Sequence, residues 1–175
     1  GVIARVVRDG AEIYHRRLPL AEGARRVSAL HRPYHAALGA LLTDTKARFG
    51  AAVLIDCHSM PSQAAASVSR VTPPDIILGD RYGASCAAAL TQHAETVLKS
   101  LGFSVGRNNP YAGGYTAEHY GAPAAGQHAL QIEINRGLYL DEDRLEKRAA
   151  AFETLKARLE RFIAALIAFS PVSNR

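Results

Sequence analysis

Residues 51–61 read Ala-Ala-Val-Leu-Ile-Asp-Cys-His-Ser-Met-Pro, an apolar run that carries an aspartate, a histidine and a serine into a proline-containing turn. Ala51 to Ile55 predicts a strand buried on both faces and continuing to residue 57. In open α/β sheets, ligands gather beyond the carboxyl ends of such strands. His58 stands at that mouth. The period of two puts Asp56 and His58 on the same face, so Asp56 can orient the imidazole directly or approach the site as its supporting partner. Imidazole is the commonest metal ligand; the alternative is a solvated histidine at a strand end.

The second decisive segment is His128-Ala129-Leu130-Gln131-Ile132-Glu133-Ile134-Asn135-Arg136, a strand pattern with one carboxylate between two isoleucines. Desolvation raises the pKa of such a carboxylate, and a glutamate tuned this way serves as general base toward water. A Glu133–Arg136 ion pair at the strand end is the competing reading. Between the two strands runs Arg107-Asn108-Asn109-Pro110-Tyr111-Ala112-Gly113-Gly114-Tyr115-Thr116, followed by Ala117 to Pro123. Compact domains seldom carry so long a loop without a binding or lid function. Its tyrosines offer ring surface, and Gly113 and Gly114 permit close backbone approach or hinge motion.

Outward from these segments the chain alternates. Apolar residues keep helical spacing from Ala24 to Phe49, with Pro33 kinking the helix or starting its second half. Residues 75–79 form a short strand, and Ala84 to Leu101 an alanine-rich helix stopped by Gly102. Phe103 to Val105 is a further strand, the long loop follows, and then a strand over 129–135. Asp141 to Phe169 reads as the last helix, with Leu145, Phe152, Leu155, Leu159, Phe162 and Leu166 on one stripe. This order predicts an α/β fold, a mostly parallel or mixed sheet with helices on both faces.

At 175 residues the length suits a single domain, 1–175, with a core that needs no covalent staples. The two cysteines, Cys57 and Cys86, have no paired spacing and point to a reducing, cytoplasmic setting, Cys57 reading as a small buried hydrophobe. The sequence shows no leader peptide and no apolar run long enough to cross a membrane. The charge of +5, from 21 basic and 16 acidic residues, suits an anionic small molecule. Dispersed basic residues without interleaved aromatics argue against nucleic acid. His31 and His35, four apart, lack the glutamate that a helical metal motif carries beside its first histidine. His119 and His128 are further alternative ligands.

The stretches LIDCHSMPS (54–62), NNPYAGGYTAEHYGAP (108–123) and QIEINRGLYLDE (131–142) together resemble the N-formylglutamate amidohydrolase family. The likeness runs in order from about Ile3 to about Phe162 and includes Arg32-Pro33-Tyr34-His35 and Leu78-Gly79-Asp80-Arg81. The family is similar to the zinc carboxypeptidases in fold and chemistry. The resemblance therefore implies a Zn2+ site, or one for another divalent metal, with His58 as a ligand and Glu133 as the base. It implies Asp56 and Ser59 as supporting residues. Arg136, Arg81, Asn109, Gly114, Tyr115 and Thr116 become candidates for holding a small anionic N-acyl amino acid, of which N-formyl-L-glutamate is the first to try.

The chain departs from the family in lacking an N-terminal stretch with His-Ser-Gly-like and Asp-Leu-Asn-Arg-like segments. By the carboxypeptidase analogy, two of the three zinc ligands lie in that stretch. The expectation is a fragment of a longer hydrolase that holds one ligand and the base. The alternative is a non-catalytic small-molecule binding or scaffolding domain with an incomplete metal site.

Overall fold

The computed structural model describes residues 3–7, 10–69 and 73–169 and divides into two compact units, residues 1–44 and 45–175. In chain order the helices and strands are α1 (Leu20–Arg26), α2 (Arg32–Phe49), β1 (Ala52–Met60), α3 (Ser62–Val68), β2 (Ile76–Gly79), α4 (Ala88–Ser100), β3 (Val105–Arg107), α5 (Tyr115–Tyr120), β4 (Gln127–Asn135), β5 (Leu140–Asp141), β6 (Glu146–Lys147) and α6 (Ala149–Ala168).

In the first unit, a five-residue π-helical turn, Val27–His31, joins α1 to α2. Pro33 explains its place: without an N–H it cannot continue the hydrogen-bond ladder, and the turn before it widens. The helical run therefore begins at Leu20, earlier than the sequence pattern suggests, and its irregularity precedes the proline.

The second unit is built on a four-stranded mixed sheet in the order β1-β4-β2-β3. β1 runs parallel to β4, β2 antiparallel to β4, and β3 parallel to β2. The alternating apolar residues of β2 and β4 put Ile76, Leu78, Leu130 and Ile132 on one face. There they join Leu90, Ala94 and Leu98 of α4 and Leu155, Phe162 and Leu166 of α6 in the main core. On the other face, Met60 and Ile77 form a small cluster with Ala65 of α3 and with Tyr111. Helices thus cover both faces, and the expected mixed α/β architecture holds.

Three local expectations are corrected. β1 is an edge strand among the described residues, so Val53 is 38% exposed and the side chain of Cys57 lies open to solvent. The expected burial of this strand on both faces, and of Cys57, required a neighbour on each side. The last helix starts at Ala149, not Asp141, because residues 140–147 fold into the β5–β6 hairpin. Asp141 closes its own turn there, its Oδ1 accepting from the amides of Asp143 (3.2 Å) and Arg144 (3.1 Å), which is how aspartate diverts a chain from helix. Finally, the long glycine-rich segment is not all loop, since it contains α5.

Candidate active site

The register of the sheet builds the site. Paired residues on neighbouring strands send their side chains to the same face. Asp56 pairs with Gln131 and His58 with Glu133 across β1 and β4, while Gly79 and Ile77 of β2 pair with Gln131 and Glu133 on the other side. One face therefore carries Asp56, His58, Gln131 and Glu133 in two adjacent rows, near the carboxyl ends of two parallel strands.

The imidazole of His58 is half exposed, and its Nε2 lies 3.1 Å from Asp56 Oδ1. An Nε2–H donated to the aspartate leaves Nδ1 with its lone pair, the state in which a histidine ligates a cation or takes a proton. Glu133 is only 6% exposed. Burial pushes its pKa up, partly opposed by the charges of His58 and Arg136 and by a hydrogen bond from Gln131. That bond runs from Gln131 Nε2 to Glu133 Oε1 at 3.0 Å. The competing Glu133–Arg136 ion pair is not formed, because Arg136 donates through Nε to Ser59 Oγ and through Nη2 to Ser59 O, each at 3.1 Å.

The glycine-rich loop lies directly on this surface. A Cβ on Gly79 would come within 2.7 Å of the Gly113 nitrogen and 2.8 Å of the Ala112 carbonyl carbon, so only glycine lets the loop backbone settle on the strand. Arg81 fixes the loop from β2, with N donating to Ala112 O (2.7 Å) and Nη1 to Gly113 O (3.2 Å). Its Nη2 also stands 3.4 Å from Glu118 Oε1. Arg81, Tyr82 and Asn108 adopt left-handed φ values of 51°, 56° and 57°, conformations that cost non-glycine residues on the order of 1 kcal/mol or more each. The Asn108 amide offsets this strain. It donates to Asp80 Oδ1 (2.8 Å) and accepts from the Asp80 amide (3.1 Å).

The structure thus brings together Asp56, His58 and Glu133, with Gly114 joined to them through Gln131. Ser59 falls on the opposite face by strand alternation and holds Arg136, not His58. Asn109 is exposed, before a cis bond to Pro110. Tyr115, 52% exposed, stacks on His119 at 5.0 Å, and Thr116 is partly buried in the same helix. His128, considered above as a ligand, lies on the core face at 4% exposure, where Nδ1 accepts from the Ala87 amide at 3.3 Å. Sequence reasoning passed over Gln131. Its signal was the two-residue spacing to Glu133, which on a strand means a shared face.

Among the described residues no group of three or more His, Cys, Asp or Glu side chains is placed to hold a metal ion. A catalytic zinc site needs three protein ligands and an open position. His58, with Asp56 beside it, offers a single imidazole donor, so these residues alone do not fit a complete zinc site.

A profile of the N-formylglutamate amidohydrolase family matches residues 1–140. The chain belongs to that family. It is 34% identical over 165 residues to an N-formylglutamate deformylase of Pseudomonas aeruginosa PAO1, covering 92% of this chain and 62% of that protein. A deformylase of the same name from Pseudomonas putida is 34% identical over 122 residues, 69% of this chain and 45% of that one. The crystal structure of an N-formylglutamate amidohydrolase from Ralstonia eutropha JMP134 superposes with a TM-score of 0.79 at 34% identity, over 94% of this chain and 59% of the other. The chain therefore spans less than two thirds of the length of these N-formylglutamate amidohydrolase relatives. The family match ends at Leu140, the first residue of the β5–β6 hairpin, and includes the Asp56–His58 and Gln131–Glu133 rows and the loop laid over Gly79.

Proposed function

We propose that this chain is the part of a metal-dependent amidohydrolase that supplies the general base, acting on N-formyl-L-glutamate or a similar N-acyl amino acid and releasing formate, or another acid, and the amino acid. The observation that carries the reading is the buried Glu133 carboxylate, with its pKa pushed up, set opposite His58 on one face of the sheet. A carboxylate tuned toward neutrality is suited both to accept a proton and to return it.

In this reading, Glu133 takes a proton from the water that attacks the amide carbonyl carbon. It then delivers that proton to the leaving nitrogen as the C–N bond breaks. Asp56 keeps the His58 ring oriented. Arg136 and Arg81, each with N–H donors beyond those engaged by Ser59, Gly113 and Glu118, hold the substrate carboxylates, since guanidinium pairs with carboxylate in a two-pronged fashion. Asn109, Gly114, Tyr115 and Thr116 line the loop side of the pocket. Zinc or another divalent cation is the proposed cofactor, with His58 giving one ligand and the remainder coming from outside the described residues. The proposed setting is the cytoplasm; no described helix is long and apolar enough to cross a membrane.

The absence of a three-donor group among the described residues favours, as a second reading, a non-catalytic binding domain. Release of formate from N-formyl-L-glutamate by the full-length protein, measured beside its zinc content, decides between them. Turnover with stoichiometric metal supports the hydrolase. Neither turnover nor metal, across a panel of N-acyl amino acids, supports the binding domain.

A further inference from the structure

Gln131 is 4% exposed, and both ends of its amide are engaged. Oε1 accepts from the Gly114 amide at 2.7 Å, and Nε2 donates to Glu133 Oε1 at 3.0 Å. Chemistry fixes the direction of the bridge. The backbone amide can only donate and the ionised carboxylate can only accept, so a flipped side chain would set donor against donor and acceptor against acceptor. Gly79, the β2 partner of Gln131, clears the space in which loop backbone reaches this amide. Arg81 holds the same loop at Ala112 and Gly113, immediately before the bridged residue.

We propose that Gln131 is a positioning residue that ties the glycine-rich loop to Glu133, so that seating the loop on a substrate and presenting the carboxylate to water are one event. The proposal rests on the reading of Glu133 as the base. It assigns the amide a role that burial alone does not require. A buried glutamine serving only to fill space would be equally served by methionine, whereas one that transmits position must keep both hydrogen bonds. Interacting residues of this kind are non-additive when altered together.

The test is a double-mutant cycle in the full-length protein with N-formyl-L-glutamate, reading kcat and KM separately. Gln131→Met removes both bonds at nearly constant volume and is expected to lower kcat by about tenfold or more, part of what a general base contributes. Gly114→Pro, whose φ of −83° proline can adopt, replaces the N–H by a ring carbon that cannot donate and that pushes Gln131 Oε1 away, and is expected to lower kcat and raise KM. In the double variant kcat should fall no further than in Gln131→Met, because the bridge has already been cut; multiplying kcat losses would overturn the coupling. Should Gln131→Met fail to fold, Gln131→Asn, one methylene too short to span both partners, takes its place.

A second arm does not depend on turnover. Coupling is reciprocal, so Glu133→Ala should speed hydrogen exchange at the Gly114 amide severalfold, and exchange left at the wild-type rate overturns the proposal. A Glu133→Gln protein that turns over normally would refute the base reading while leaving this exchange result to judge the bridge. An inactive Glu133→Gln protein combined with multiplying losses would refute the bridge alone.

Discussion

His58 and Glu133 are direct cross-strand partners in the parallel β1–β4 pair, each held by the residue two positions earlier on its own strand, Asp56 at 3.1 Å and Gln131 at 3.0 Å. The two rows are alike in geometry and different in chemistry. His58 offers a ring nitrogen near solvent, and Glu133 offers a buried carboxylate. We therefore expect separable phenotypes: His58→Ala should lose bound metal and activity together, while Glu133→Gln should keep its metal and lose about 10²–10⁴ in turnover. Metal analysis beside a hydrolysis assay checks this, and a fully active Glu133→Gln enzyme would sink the mechanism.

The same burial predicts a stability gain from an inactivating change. Because burial raises the folded-state pKa of Glu133, the native protein holds this proton more tightly than the unfolded chain does. Its contribution to stability is in full force below the carboxylate's unfolded pKa and is lost as pH rises through the folded value. At pH 8 the ionised group carries its desolvation cost, which Glu133→Gln removes. In metal-free protein the variant should melt higher at pH 8, by about 2–4 °C for each kcal/mol recovered in a chain of this size. The advantage should shrink as the pH is lowered toward the carboxylate range. Thermal melts showing no gain at pH 8 would mean that the Gln131 hydrogen bond outweighs burial.

Much of this was legible in the sequence, and the limits have physical causes. Strand alternation sufficed to put Asp56 with His58 and to mark Glu133 as buried, since both are properties of one strand. What a single strand cannot show is its neighbour. The pairing of β1 with β4 and the place of β1 at the sheet edge depend on register, and although alternation alone turns Ser59 away from His58, only the folded chain gives it Arg136 as a partner. Gln131 was hidden for the same reason, its second partner being backbone of a loop 17 residues away. Asp141 was misread because acidic residues suit both a helix start and a self-closed turn, and only tertiary structure chooses.

His128 should dominate a different pH response. It sits on the core face, and burial lowers its pKa, so the folded protein holds it neutral while the unfolded chain protonates near pH 6.5. Stability from this residue is complete above that pH and is lost as pH falls through the lower folded value. His128→Leu should flatten the decline in Tm between about pH 7 and pH 5. The same change should cost about 1–3 kcal/mol at pH 8 by leaving the Ala87 amide unpaired. An unaltered pH dependence would show that other groups set the acid limb.

Residues 1–175 taken alone should bind zinc weakly and hydrolyse little, because the described residues bring no three donors together and one imidazole is too few for a catalytic zinc. Calorimetric titration with zinc measures this directly. A tight one-to-one site would show that the ligands are elsewhere, with His31 and His35, whose rings lie 4.2 Å apart, the first pair to replace.

The loop should be separable from the metal. Gly79→Ala places a methyl carbon within 2.7 Å of the Gly113 nitrogen and 2.8 Å of the Ala112 carbonyl carbon, and backbone cannot swing aside as a flexible side chain can. Overpacking of this kind costs about 1–3 kcal/mol, and here the least resisted displacement is of the loop away from the sheet. Gly114 would then draw back from Gln131, and the pocket wall with it. We expect kcat/KM to fall by at least tenfold, about 1.4 kcal/mol or more of lost transition-state stabilisation. Zinc content should be unchanged, because neither Gly79 nor the loop is proposed as a ligand. Kinetics measured with N-formyl-L-glutamate beside metal analysis of the same preparation decide the matter. Wild-type kcat/KM in a folded Gly79→Ala protein would mean that the loop does not wall the pocket, whereas parallel loss of zinc and activity would place a ligand on the loop itself.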